Sequence, residues 1–270
     1  MAFFEHGRNR YYYFDAGAGT PVVLLHGLGN SGRAWSDQVA ALLRLEHRVI
    51  VPDLLGHGAS SDAPASISAR GQALGILALL DHLGLESAQL VGLSLGGMVA
   101  LELACEVPAA VESLAVAGTF LTMKAPHRAQ MLDEWIDALA QPDGCLKRFK
   151  ATWPALVGES FAASPQGQRL YQAWHAQAAT QGAQNQINWC QGMKHYDLSE
   201  RLQRIDAPTL VLACEHDRMS PVAEADEIAR RIARCRRVTL TGEGHVFNVP
   251  HALAFNYELA FFLQEHPQHA

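Results

Sequence analysis

Nothing in the sequence forms a basic field. Its 270 residues carry 21 Lys and Arg against 27 Asp and Glu, a formal charge of -6, with no local Lys/Arg cluster as an exception. A nucleic-acid partner is therefore not expected, because phosphate charge dominates such binding. No apolar run approaches the roughly 18 to 20 residues that a bilayer span needs, and Met1 to Tyr13 lacks the basic start and apolar centre of a secretory leader. The expectation is a cytoplasmic protein with no membrane partner. Five cysteines, Cys105, Cys145, Cys190, Cys214 and Cys235, are an odd number without a C-x-x-C pair, and suggest neither a disulfide framework nor a structural zinc site. The thirteen histidines fall into no H-E-x-x-H or comparable spacing. No metal and no cofactor are expected.

What is present is a chain apolar enough to fold: 49% of its residues are apolar and 18% charged. Short apolar runs at Val22–Leu25, Val49–Val51, Ala88–Val91, Leu114–Val116, Thr209–Leu212 and Arg237–Leu240 read as strands. Helical spacing separates them at Ala34–Leu45, Ser66–Leu83, Leu95–Cys105 and Pro221–Arg234, with a last helix at Ala252–Leu263. This alternation predicts a parallel sheet covered by helices on both faces. It breaks after Phe120. From Leu121 to Leu198 there are only helical stretches, split at Pro126, Pro142, Pro154, Pro165 and Gly182, so a helical insertion (121–198) is expected within an α/β core (1–120 and 199–270). Its Gln and Ala bias over 172–191 suits exposed helix faces.

Gly92-Leu93-Ser94-Leu95-Gly96 lies where the third of these strands meets a helix. A hydroxyl presented on such a sharp turn needs small neighbours, and the helix following it aims free N–H groups at the site. Ser94 is the candidate nucleophile, with helix capping as its ordinary alternative. A serine needs a base, and the base needs an orienting group. Asp217, in Cys214-Glu215-His216-Asp217, and His245, in Gly242-Glu243-Gly244-His245, each follow a later strand. Glu215 is the alternative acid, and His195 is a further candidate for approaching a substrate.

His26-Gly27-Leu28-Gly29 follows the first of the six runs and would supply a backbone donor to a developing oxyanion, pairing Leu28 N–H with Leu95 N–H. The loop can also be read as G-x-G-x-x-G over Gly27 to Gly32, with Asp53 ending the next strand, which on paper is a dinucleotide fingerprint. That reading leaves Ser94, Asp217 and His245 unexplained, and Asp53 to Ser60 is better taken as a structural loop beside the site.

With these residues assembled, the chain resembles the α/β-hydrolase superfamily over nearly its whole length. The resemblance rests on His26-Gly27, Asp53–Ser60, Gly92–Gly96, Asp197–Asp217 and Gly244-His245. It is greatest to the capped small-molecule members: carboxylesterases, enol-lactonases, carbon–carbon bond hydrolases and aminoacrylate hydrolases. It implies a mostly parallel eight-stranded sheet with a helical cap, and a serine hydrolase acting on a small acyl substrate. Cys214 departs from the glycine that many relatives carry there. The serine sets the chain apart from haloalkane dehalogenases and epoxide hydrolases, which attack with Asp. His26, Gly27, Trp135, Trp153 and Trp189 are candidate substrate contacts, and Trp174, Met123, Met131 and Met193 also stand in the insertion as candidates to roof an apolar pocket. Carbon–carbon cleavage, lactone opening and acyl transfer use the same triad. A ligand receptor on the same fold is the non-enzymatic alternative.

Overall fold

The computed structural model describes residues 2–266, so Met1 and 267–270, the outer ends of the expected core, lie outside it. The chain begins with two strands that the apolar-run reading misses, β1 (Ala2–His6) and β2 (Asn9–Ala16), paired antiparallel with His6 opposite Asn9. They escape that reading because β1 buries only Phe4 and β2 only Tyr11 and Tyr13, among charged and half-exposed neighbours. Gly7, with φ 63°, takes the first position of their two-residue loop, where positive φ matches strand twist.

The other six strands are β3 (Pro21–Leu25), β4 (Arg48–Pro52), β5 (Ala88–Leu93), β6 (Val111–Ala117), β7 (Thr209–His216) and β8 (Cys235–Glu243). The sheet runs β1-β2-β4-β3-β5-β6-β7-β8, with β2 antiparallel to both neighbours and every other pair parallel. Alternate residues feed two cores, as period-2 side-chain geometry requires. Val22, Leu24, Val91, Leu93, Leu210 and Leu212 pack with Leu42 of α1 (Ser36–Arg44) and, from the C-terminal helix (Ala252–Glu265), Phe255 and Phe262. Val23, Leu25, Leu90 and Val211 face the other way, onto α2 (Ala69–His82) and α3 (Leu95–Glu106). Helices therefore cover both faces, and the molecule has the α/β-hydrolase fold.

Between β6 and β7 lie five helices: α4 (Pro126–Leu139), α5 (Gly144–Val157), α6 (Glu159–Ala163), α7 (Pro165–Thr180) and α8 (Ala183–Met193). Pro126 and Pro165 open their helices, where the missing N–H costs nothing. Pro154 does not split a helix as expected but lies inside α5, one turn from its end. The ends of the insertion leave and re-enter the core side by side: Thr122 bridges Asp197, Met123 N–H donates to Tyr196 O at 2.9 Å and Leu198 N–H to Leu121 O at 3.0 Å. After β7, α9 (Val222–Ala229) is shorter than the 221–234 expected, and the C-terminal helix is α10. No helix among the described residues is long and apolar enough to cross a membrane.

Candidate active site

β5 ends at Leu93 and α3 starts at Leu95, so Ser94 alone turns the chain from strand to helix, with φ 53° and ψ -116°. Such a conformation in a non-glycine residue costs on the order of 1–3 kcal/mol and persists only where its surroundings impose it. They do so here. Ser94 N–H donates to Ala117 O at 2.9 Å, and Ser94 O accepts from Met98 N–H at 3.0 Å and Thr119 Oγ1 at 2.8 Å. The nearby glycines supply room: a Cβ at Gly92 would meet the Gly96 carbonyl, and one at Gly96 the Leu25 carbonyl. The Ser94 side chain makes no capping bond to α3, which removes the helix-cap alternative.

Asp217 and His245 are both buried and meet directly, His245 Nδ1–H donating to Asp217 Oδ2 at 2.8 Å. The other Asp217 oxygen accepts from Met219 N–H at 2.8 Å and Ser220 N–H at 3.0 Å. One carboxylate thus builds the turn and orients the imidazole. Glu215 stands apart, exposed beside His216. The register of β7 against β8 shifts between Cys214 and His216, just before the Asp217 loop. His245 is in turn fixed by the insertion. The last carbonyls of a helix have no partner within it, and in α5 those of Ala155 and Leu156 accept from His245 N–H at 3.1 Å and Val246 N–H at 2.7 Å. His245 Nε2 is buried and has no protein partner.

The pairing of Leu25 with Gly92 across β3 and β5 brings His26-Gly27-Leu28-Gly29 beside the serine, and a Cβ at Gly27 would lie 3.5 Å from that of Ser94. Two histidines hold this loop. His26 Nδ1–H donates to Gly27 O at 2.9 Å while Nε2 accepts from Leu54 N–H at 3.0 Å; His57 Nε2 accepts from Gly29 N–H at 3.0 Å while Nδ1–H donates to Leu55 O at 3.1 Å. Burial pushes the His26 pKa down to about 4. Burial and the neighbouring His26 push that of His57 down to about 3. Both rings are therefore neutral near pH 7, with every nitrogen engaged. His26, expected as a substrate contact, has no nitrogen free for one and acts as wall and brace. Neither the Leu28 nor the Leu95 N–H is used in a turn, loop or cap.

Asp53 does not act as a ribose ligand would. Its two oxygens accept from Gly32 N–H at 2.8 Å and Ala59 N–H at 2.9 Å, binding the loops that follow β3 and β4 together.

Ser94 and His245 line one cavity, of about 1000 Å³ when the open solvent at its mouth is included. Its floor is the core loop His26 to Asn30 with Trp35, Leu93 and Phe120, and its roof the insertion. Trp135, Trp174, Met123, Met131 and Met193 line it as expected, but Trp153 and Trp189 do not. Trp153 packs inside the insertion against Phe149, Tyr171 and Trp174, and Trp189 is fully buried with its indole N–H on Leu55 O at 2.8 Å. His195 is exposed and outside the cavity. Sequence reading missed Phe149, Arg148, Gln177, Gln181 and Gln186, all of which line it; the Gln-rich segment is not simply an exposed face, since Gln186 is buried.

The sequence model of the alpha/beta hydrolase family matches residues 22–256. The chain belongs to this family. It is similar to a putative carbamate hydrolase, RutD, of Pseudomonas savastanoi pv. phaseolicola, with 33% identity over 90% of this chain and 93% of the relative. A solved hydrolase from Pseudomonas aeruginosa PA01 superposes with a TM-score of 0.87 at 28% identity, covering 97% of each chain. The enol-lactonase of Burkholderia xenovorans LB400 superposes with a TM-score of 0.90 over 97% of this chain and all of its own, and at 23% identity shares the fold. This α/β-hydrolase is thus an enzyme of the hydrolase type.

Proposed function

We propose that this hydrolase cleaves a carboxylic ester or related acyl bond of a small, mostly apolar substrate through an acyl-enzyme on Ser94. The observation that carries the reading is the joint opening of Ser94, on its strained turn, and of the Asp217-bound His245 onto one cavity. His245 Nε2 takes the proton from Ser94 Oγ as the oxygen attacks the carbonyl carbon. The Leu28 and Leu95 amides stabilise the oxyanion. Collapse breaks the acyl bond, and His245 returns the proton to the leaving group. Water, deprotonated by the same nitrogen, then releases the acid. Asp217 keeps the imidazole in the Nδ1–H tautomer, so Nε2 is free to accept. Carbamate scission is a second reading, favoured by the name of the Pseudomonas savastanoi relative.

Labelling with a fluorophosphonate and peptide mapping tests this, beside turnover of p-nitrophenyl esters of graded acyl length and of an aryl carbamate. Adduct on Ser94, with label and turnover both lost in Ser94→Ala, is the expected result. Label or turnover surviving Ser94→Ala overturns it.

A further inference from the structure

The cavity holds one charged residue with no counter-charge. Arg148, on α5, lines it, and no Asp, Glu or Lys does. Among the described residues Arg148 forms no salt bridge, although twelve Arg– or Lys–carboxylate contacts are made elsewhere. Its guanidinium lies 4.2 Å from the centroid of the Trp135 ring. Nη1–H donates to Gln186 Oε1 at 3.1 Å, and Nε is buried without a protein partner. Burial pushes the Arg148 pKa down, with only the Cys190 and Cys145 thiols opposing it. The residue as a whole is half-buried; a cation partly withdrawn from water without an anion is costly, and guanidinium is the side chain best shaped to take a carboxylate in two parallel hydrogen bonds.

The group is also held in place. Gln181 Nε2 donates to Gly29 O at 2.9 Å, Gln186 Nε2 donates to Gln181 Oε1 at 2.6 Å, and Gln186 Oε1 takes Arg148. This chain ties the guanidinium to the loop beside Ser94; the Arg148 Nη1 lies 3.5 Å from where a Gly29 Cβ would stand. Its end of the cavity is not the His245 end. Arg148 precedes Ala155, the residue whose carbonyl holds His245, by seven residues on α5, which is roughly 10 Å of helix. The leaving group takes its proton from His245, so the end near Arg148 receives the acyl chain.

We infer that the site selects acyl groups bearing a second, terminal carboxylate, bound by Arg148, so that the preferred substrates are monoesters of short dicarboxylic acids. This rests on the serine-hydrolase reading for its chemistry, while the anion site itself can be tested apart from turnover.

The test compares p-nitrophenyl monoesters of glutaric and adipic acid with the same esters carrying a terminal carboxamide, each corrected for spontaneous hydrolysis. Wild type should favour the carboxylates at least about 10-fold in kcat/KM. Arg148→Gln should lower kcat/KM for the carboxylates by roughly 10- to 100-fold, through KM, as expected for losing charged hydrogen bonds, while moving the carboxamides less than about 3-fold. Arg148→Lys should fall between. No carboxylate preference in wild type, or equal losses on both series in Arg148→Gln, overturns the inference and leaves Arg148 as a latch for the roof. Binding of free adipate and adipamide to Ser94→Ala, read by tryptophan fluorescence and by titration calorimetry, separates the two readings. Adipate binding that exceeds adipamide binding and is lost on adding Arg148→Gln upholds the anion site even if no ester turns over. Equal binding of the two overturns it.

Discussion

Floor and roof of the cavity are built on different physical terms. In the core, Ser94, His26 and His57 are positioned by backbone hydrogen bonds, by close carbonyl contacts at Gly92 and Gly96, and by rings with no free nitrogen. In the insertion, the roof is made of aromatic, Met, Gln and Arg side chains on helices whose outer faces are polar. On the proposed mechanism the difference separates chemistry from selectivity: the floor has one arrangement, set by main-chain geometry, and the roof presents side chains that substitution alters without disturbing the turn. The regions meet at α5, whose terminal carbonyls hold the His245 loop and whose earlier turn carries Arg148.

The sharpest way to break this contrast is to remove the proposed base. His245→Ala should lower kcat by on the order of 10⁵- to 10⁶-fold on every ester, because a nucleophile without its base loses nearly the whole advantage of the triad. A loss confined to some acyl groups would place His245 with the roof. Asp217→Asn comes next, at about 10⁴-fold in kcat for the same substrates, since the amide no longer fixes the Nδ1–H tautomer; steady-state kinetics on two unrelated esters checks that the losses match.

Stability against pH probes the floor alone. His26 and His57 are neutral in the folded state with pKa values of about 4 and about 3, against an ordinary 6.5. An unfolded chain binds protons that the folded one refuses, so their stabilisation is complete above pH 6.5 and is lost as pH falls toward 4 and 3. Urea unfolding should lose on the order of a few kcal/mol across that window. His57→Gln, which keeps an acceptor for Gly29 N–H, should flatten the slope. An unchanged slope would show that the loop is not held by a neutral ring. The smallest effect belongs to the roof: Phe149→Leu should shift acyl-length preference by about 10-fold or less, with kcat on the shortest ester kept within about 3-fold.

The floor was also the region legible in the sequence. Strands buried on both faces appear as unbroken apolar runs, and a turn that needs Gly at two fixed offsets from Ser94 leaves a readable string. Asp217 and His245 were legible because each follows a strand read from the sequence, β7 as a buried apolar run and β8 as a half-buried one, and the two side chains meet at 2.8 Å. Strands β1 and β2 were not, since β1 buries only Phe4 and β2 only Tyr11 and Tyr13. Roof residues were illegible for a different reason. A helix facing a cavity with polar groups has no apolar stripe there, so Arg148 and Gln186 look like surface residues, whereas Trp153 and Trp189, large and apolar, look like pocket residues and are packing. His57 lay in a loop read as structural, and its part in bracing the Gly27–Gly29 turn needed the fold to appear.

The most direct test of the central claim is the site of the covalent intermediate. Protein mixed with p-nitrophenyl acetate and quenched in acid within the first turnover should carry one acetyl group per chain, on the peptide containing Ser94, and Ser94→Ala should carry none. Acetylation at another residue that is required for turnover, or undiminished turnover in Ser94→Ala, would contradict the account.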